Sequence, residues 1–364
     1  MSVDQIGYEV DFLPVGEGEK SGDAIALRFG NLLADPPEQT VVVIDGGFKD
    51  SGKGLVNHIK TYYKTDHVNV VVSTHPDGDH ASGLEIVLNE MNVDYLMIHK
   101  PWEHTKDISD LFKDDRVTDE SVKRALRESL EVARTLEALA KKKGIKIVEP
   151  FWGATGYNGT LRVLGPTVEY YESLLPDYRG TPQPKQDAGT FAQFFKEATE
   201  AVKTLIEGWG FETLSNTGET SAENNSSAIL LFTIAGESLL FTADAGIPAL
   251  SQAVFQLQRE GFDFSKLTFI QVPHHGSQRN IGPSLLDIII GPKLPQEKKI
   301  KTAFLSVSPD GAPKHPAKKV TNAFLRRGAA VHVTSGQTKR HSEHAPDRGW
   351  SKSTPLPFYQ EVEE

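Results

Sequence analysis

Short apolar runs separated by glycine-bearing turns open the chain: Tyr8 to Phe12, Ala24 to Phe29 and Val41 to Ile44. Gly16, Gly18, Gly22 and the turn Asp45-Gly46-Gly47 punctuate them, so this region reads as sheet. A helical stretch near Leu55 to Thr65 leads into His67 to Ser73, whose continuous apolar centre predicts a strand buried on both faces. From about Asp119 to Lys143, Val122, Leu126, Leu130, Val132, Leu136 and Leu139 fall near helical spacing and predict an amphipathic helix. Another helix is predicted over Gly189 to Trp209, after a proline-rich loop from Leu175 to Gln186. Beyond a polar loop at Gly218 to Ser227, the runs Ser227 to Ile234 and Ser238 to Thr242 flank Ala235-Gly236 and predict a hairpin. Strands at Thr268 to Val272, Thr302 to Val307 and Ala330 to Thr334 then alternate with helices at Pro248 to Glu260, near Ser284 to Ile289, and at Ala317 to Arg326. No internal period of repeat-protein length is present. The alternation predicts more than one sheet, covered by helices.

Composition narrows the chemistry. With no cysteine among 364 residues, disulfides, thiolate metal sites and cysteine nucleophiles are excluded, and any metal must be held by imidazole and carboxylate. The start MSVDQIGYEVDFLPVG has no basic segment followed by an apolar run, and no uncharged apolar stretch reaches the roughly 18 residues of a membrane span. A cytoplasmic protein with no membrane partner is the expectation. The net charge of −10 argues against coating nucleic acid through bulk charge. Residues 291–343 nevertheless hold eleven Lys or Arg against three acidic residues. Lys314, Lys318, Lys319, Arg326 and Arg327 are therefore candidates for a phosphate-backbone footprint. His341, His344 and Asp347, in a polar setting, read as a solvated tail.

The chemistry concentrates after the buried strand. Ser73-Thr74-His75-Pro76-Asp77-Gly78-Asp79-His80 places four metal-ligating side chains within six residues. Pro76 and Gly78 break regular structure, so a tight turn can let successive side chains converge as a helix could not. Four ionisable groups at a buried strand end are costly without a cation or close partners. Asp244 likewise follows an apolar strand, Leu239 to Thr242, and His274-His275 follows Thr268 to Val272. Alternating side-chain direction argues that one of these two histidines binds metal and the other faces substrate or supports the ligands, with His275 preferred as the ligand.

This motif resembles that of the metallo-β-lactamase fold superfamily, His-x-His-x-Asp-His after a strand, with Asp77 where the second histidine normally stands. In the form His-x-Asp-x-Asp-His followed by Ser82-Gly83 it is similar to the soluble hydrolase domain of ComEC-type competence proteins. Val15-Gly16, Asp45-Gly46-Gly47, Asn224-Asn225-x-Ser227, Asp244, Pro273-His274-His275-Gly276-Ser277 and His315-Pro316 occur in that family's order over about residues 8–336. The resemblance implies a four-layer αββα sandwich, an α/β (α+β) fold, as a single domain over residues 1–364. The segment of about 100–222 would be a mainly helical insertion covering the cleft. It also implies two divalent metal ions: His75 and Asp77 on one, Asp79, His80 and His275 on the other, Asp244 bridging. Asn224 or Asn225 stands where the family carries a further histidine, which is a departure at the first site.

Three imidazoles and three carboxylates suit manganese as well as zinc. Two adjacent cations activate a water and neutralise charge on the attacked oxygen, so no serine nucleophile is needed. Asp79 could also orient that water, and Ser277 could either hold a phosphate oxygen or cap its turn. His315, with Lys314 beside it, could contact phosphate or protonate a leaving oxygen, while Pro316 alone would explain a helix start. Trp102, His104, Trp152 and Tyr157 could stack on bases or pack within their own segment. The leading expectation is a nuclease-like phosphodiesterase, DNA favoured. A small-molecule metallohydrolase acting on a lactam, lactone, thioester or cyclic nucleotide is the alternative. A metal-binding module with a protein partner in a defence or DNA-processing assembly is the third reading.

Overall fold

Val41 and Val43 face one side of their strand and Val42 and Ile44 the other, and all four are buried. A strand with apolar neighbours on both faces needs a layer above and a layer below. The computed structural model describes residues 6–16, 18–185, 204–311 and 315–363. Sixteen strands are present among these: β1 Gly7–Phe12, β2 Ala24–Asn31, β3 Glu38–Gly46, β4 His67–Val72, β5 Asn92–Met97, β6 Lys146–Val148, β7 Thr155–Gly156, β8 Leu161–Gly165, β9 Thr204–Ile206, β10 Ile229–Ile234, β11 Glu237–Phe241, β12 Leu267–Gln271, β13 Lys301–Leu305, β14 Ala329–Val333, β15 Lys339–Glu343 and β16 Glu361–Glu363. One seven-stranded sheet has the order β15-β1-β2-β3-β4-β5-β6, a second the order β14-β13-β12-β11-β10-β8-β7, and β9 pairs with β16.

Three apolar layers hold the sheets in place. Between them lie Val10, Phe12, Leu27, Val42, Val72, Leu230, Phe232, Phe241, Phe269 and Phe304, with Phe12 and Phe304 edge to face at 5.6 Å. The first sheet's outer face packs on helices Lys49–His58, Leu84–Glu90, Asp119–Ser129 and Glu131–Lys143. Helices Ile247–Arg259, Pro283–Ile289 and Lys318–Arg326 cover the second. The result is the expected αββα sandwich.

Parallel pairing places the chemistry. Strands β3, β4 and β5 run parallel, as do β11, β12, β13 and β14, so the carboxyl ends within each set share one edge. Ligand sites in such sheets lie outside the carboxyl ends of the strands. Because β2 is antiparallel to β3, with Ala24 opposite Gly46, the start of β2 lies at that same edge.

Several sequence expectations are corrected. The helix predicted from Asp119 to Lys143 is two, divided at Leu130, which leaves helical geometry at φ −107°, ψ 53°. Most of the helix predicted over Gly189 to Trp209 lies outside the described residues, and its end is strand β9, paired with β16. The segment 100–222 also supplies β6 to the first sheet and β7 and β8 to the second. His341 does not lie in a solvated tail: it sits in β15 opposite Val10, its ring stacked 5.0 Å from Phe269 and its Nε2 3.1 Å from the Tyr8 hydroxyl. The charged sequence of β15 concealed a strand with one buried face.

The proposed basic footprint is largely internal. Arg326 is fully buried, pairing with Glu207 at 2.9 Å and donating to the carbonyls of Gly208, Trp209 and Phe211. Arg327 holds Glu212 and Asp287, and Lys319 is also buried. Arg326 and Arg327 fasten residues 207–212 to the end of helix Lys318–Arg326. Removing one member of a buried pair leaves the other charge uncompensated, so Arg326→Ala is expected to lose about 3–5 kcal/mol of stability in urea unfolding. An unchanged midpoint would contradict this structural role.

Candidate metal centre

His75 emerges three residues after β4, and the short helix Gly78–Ala81 that follows carries Asp79 and His80. Asp244 follows β11, and His274 and His275 form the turn after β12. These segments come from both sheets and meet at the shared edge. The backbone there is strained: Asp45, Ala243, His274 and His275 have φ of 56°, 45°, 46° and 53°, a region costly for residues with a Cβ. Strain of this kind collects where side chains must converge. His274 and His275 approach different oxygens of Asp244. Their positive φ values aim both rings at Asp244.

Asp244 is the centre of the arrangement. Its Oδ2 lies 3.8 Å from His75 Nε2 and 3.5 Å from His274 Nε2. Its Oδ1 lies 3.5 Å from His80 Nε2 and 3.9 Å from His275 Nε2. Each carboxylate oxygen thus faces its own pair of imidazoles. Asp77 joins the first pair, with Oδ2 3.7 Å from His75 Nε2. Asp23 joins the second: one ligand atom each from Asp23, His80, Asp244 and His275 lies within 4.8 Å of the other three.

The opposite nitrogen of every ring is held by a partner. His75 Nδ1 meets Thr74 Oγ1 at 3.0 Å, and that hydroxyl donates to Asp45 at 2.6 Å, so the ring nitrogen is the donor. His80 Nδ1 lies 2.9 Å from Asp45 Oδ2, His274 Nδ1 3.0 Å from Asn280 Oδ1, and His275 Nδ1 3.0 Å from the Ser306 carbonyl. Those acceptors assign the proton to Nδ1 and leave each Nε2 lone pair pointing inward, the usual support of a metal-ligating histidine. Asp23 is fixed similarly, its Oδ2 accepting from Gln271 at 2.9 Å while Gln271 itself accepts from the Thr242 and Ala243 amides.

Buried polar atoms without partners are expensive, and this cluster has five: Asp23 Oδ1, His75 Nε2, His80 Nε2, Asp244 Oδ1 and His275 Nε2 make no hydrogen bond. Nitrogen lone pairs and carboxylate oxygens converging from oriented side chains fit a divalent cation. The charge balance agrees. Burial opposes protonation of His80, but Asp244 and Asp45 outweigh it and lift its pKa well above the imidazole norm. Asp244 is buried too, yet His274, His80 and His275 hold its pKa well below the usual carboxylate value. Burial pushes Asp23 up to about 7, with His80 opposing and Asp244 adding to the rise, and burial pushes His275 down to about 3.

Other expected residues are placed as follows. Asp79, like Asp77 and His274, belongs to neither group of three or more converging ligand atoms, the second of which is Asp45, His75 and His80. Asn224 donates to Thr220 Oγ1 at 2.7 Å and lies 3.2 Å from His274 Nδ1, so it touches the cluster from behind a ligand. Asn225 is buried against the Thr220 and Ser221 carbonyls. Ser277 Oγ accepts from the Arg279 amide and caps its turn. His315 stacks on His274 with ring centroids 6.0 Å apart. Lys314 lies outside the described residues. Trp102 is fully buried in the helical layer, His104 is held by Glu149 and Glu172, and Tyr157 packs on Phe29, leaving Trp152 exposed.

Sequence reading missed Asp23 and Arg179. The available signal for Asp23 was Gly22 before it: a Cβ there would fall 2.0 Å from the Asp79 carbonyl oxygen, so glycine lets the motif turn abut the start of β2. Arg179, from the proline-rich loop, donates to Asp77 Oδ1, and nothing local announces that contact.

No protein-family profile and no curated protein matches the chain. Among matching solved structures is a candidate metallo-beta-lactamase from Thermotoga maritima, 12% identical, matched over 70% of this chain and 92% of its own, with a TM-score of 0.34. So loose a likeness adds no argument, and the fold assignment rests on the two sheets and their covering helices. Among the described residues no helix is long and apolar enough to cross a membrane.

Proposed function

We propose that the chain is a metal-dependent hydrolase of phosphodiester bonds, with nucleic acid, DNA foremost, as its substrate class. The observation carrying the hydrolase reading is the convergence of four Nε2 atoms on the two oxygens of Asp244. Two divalent cations, zinc or manganese, would be held by His75, Asp77 and His274 on one side and by Asp23, His80 and His275 on the other, with Asp244 between. Bound there, such ions supply an activated water and neutralise charge on the attacked phosphoryl group. Asp45, Thr74, Asn280 and the Ser306 carbonyl keep the imidazoles aimed. His315, which stacks on His274, would give a proton to the leaving oxygen. Support for the phosphodiester bond comes from the ComEC-like motif order.

Burial of Lys319, Arg326 and Arg327 favours a second reading, since these residues cannot serve as a polynucleotide footprint. The alternative is a small ester, lactam or lactone in the same site. A cleavage panel decides between them: linear and circular, single- and double-stranded DNA, RNA, bis(p-nitrophenyl) phosphate, a lactam and a lactone, each with manganese or zinc. Metal-dependent phosphodiester cleavage that chelator and His80→Ala abolish is the expected result. Lactam or lactone turnover without phosphodiester cleavage would replace this reading with the second.

A further inference from the structure

Burial is uneven among the described residues of the cluster. The side chains of His75, His80, Asp23, Asp244 and His275 are 0–5% exposed, whereas those of Asp77 and His274 are 26% and 28% exposed. Solvent therefore reaches the site past these two residues. At this opening stands Arg179, 48% exposed.

Arg179 is held in place by its own segment. Its backbone amide donates to Glu223 Oε1 at 2.8 Å, and its Nε lies 3.6 Å from the same oxygen. Nη2 donates to Asp77 Oδ1, and the other oxygen of Asp77 faces His75. A single carboxylate thus separates the guanidinium from the cluster. Nη2 and Nε face the Asp77 and Glu223 carboxylates, and among the described residues Nη1 makes no hydrogen bond, so one arm of the guanidinium is open at the mouth.

Resting on the hydrolase reading above, we propose that Arg179 binds the anionic phosphate group of the substrate at the mouth of the metal centre. A guanidinium presents a planar fork that meets two oxygens of a phosphate at once. The two non-bridging oxygens of a phosphodiester are set at a tetrahedral phosphorus, so one can meet that fork while the other faces the cluster, a spread that the narrower, planar carboxylate does not match. The charge balance makes this site depend on metal. Without cations, Asp77 and the buried Asp244 keep the site negative, and Asp77 engages Arg179 together with Glu223. With divalent cations in the cluster, the site becomes attractive to an anion and Arg179 adds to the attraction.

Calorimetric titration of desalted, manganese-loaded protein with inorganic phosphate tests this, with acetate as the control ligand and metal content measured on the same samples. Arg179→Ala is expected to weaken phosphate binding at least tenfold while retaining the wild-type metal content. Arg179→Lys, which keeps the charge and loses the fork, should weaken it less, and it stands in if the alanine variant fails to fold by circular dichroism. Unchanged phosphate affinity, no phosphate binding by the wild type, or acetate binding as tight as phosphate would overturn the proposal. Loss of metal from both variants would overturn it too, making Arg179 a brace for Asp77. Phosphate binding that depends on Arg179, together with a blank cleavage panel, would count against the hydrolase reading alone.

Discussion

Asp244→Asn is expected to empty both halves of the metal centre. The two oxygens of this carboxylate face separate histidine pairs, so the one side chain meets four Nε2 atoms. An amide carries no charge, and its NH₂ group would point hydrogens at one pair of Nε2 lone pairs. Metal content after desalting should fall to near zero, and metal-dependent turnover should fall on the order of 10³-fold or more, comparable to removing a key electrostatic contact. Asp77→Asn should deplete one half only. An Asp244→Asn variant that retained the wild-type metal content would show that the histidines hold cations without the central carboxylate.

Asp23→Asn should have the next largest effect. A carboxylate oxygen of Asp23 lies with ligand atoms of His80, Asp244 and His275, and its buried Oδ1 has no hydrogen-bond partner, whereas Asp79 joins no such group. Calorimetric metal affinity is expected to drop by at least about 100-fold in Asp23→Asn, the upper end of what an orienting partner alone contributes. The drop in Asp79→Asn should be much smaller. The pH dependence provides a second reading. With its pKa at about 7, Asp23 is increasingly protonated as pH falls below that value, and a cation must displace the proton. Wild-type affinity should therefore weaken below pH 7 by about tenfold per unit from this residue, and Asp23→Asn should lose that component. Equal losses in the two variants would return Asp79 to the ligand set.

These two residues mark where sequence reading stops. The strands were legible because fully buried β-strands have continuous apolar runs, as in Val70 to Val72, and the motif at His75 was legible because its donors are close in sequence. Asp244 stood out as an acid at the end of an apolar strand. Asp23 did not, because it precedes its strand, and only the antiparallel pairing of β2 with β3 brings it to the carboxyl-end edge. Sequence alone could not place His274 relative to His275, because strand alternation does not extend into a turn with two consecutive positive φ values. The basic C-terminal residues were misread because composition cannot distinguish a solvated arginine from Arg326, whose partners Glu207 and Trp209 lie more than one hundred residues away.

The central claim is that Asp244 joins two cation sites at the shared edge of the sheets. Anomalous diffraction from crystals soaked in manganese tests it most directly. Two peaks are expected, one bounded by His75, Asp77 and His274 and the other by Asp23, His80 and His275, with Asp244 between them. No peak at this edge, or peaks that leave Asp244 without a contact, would contradict the account.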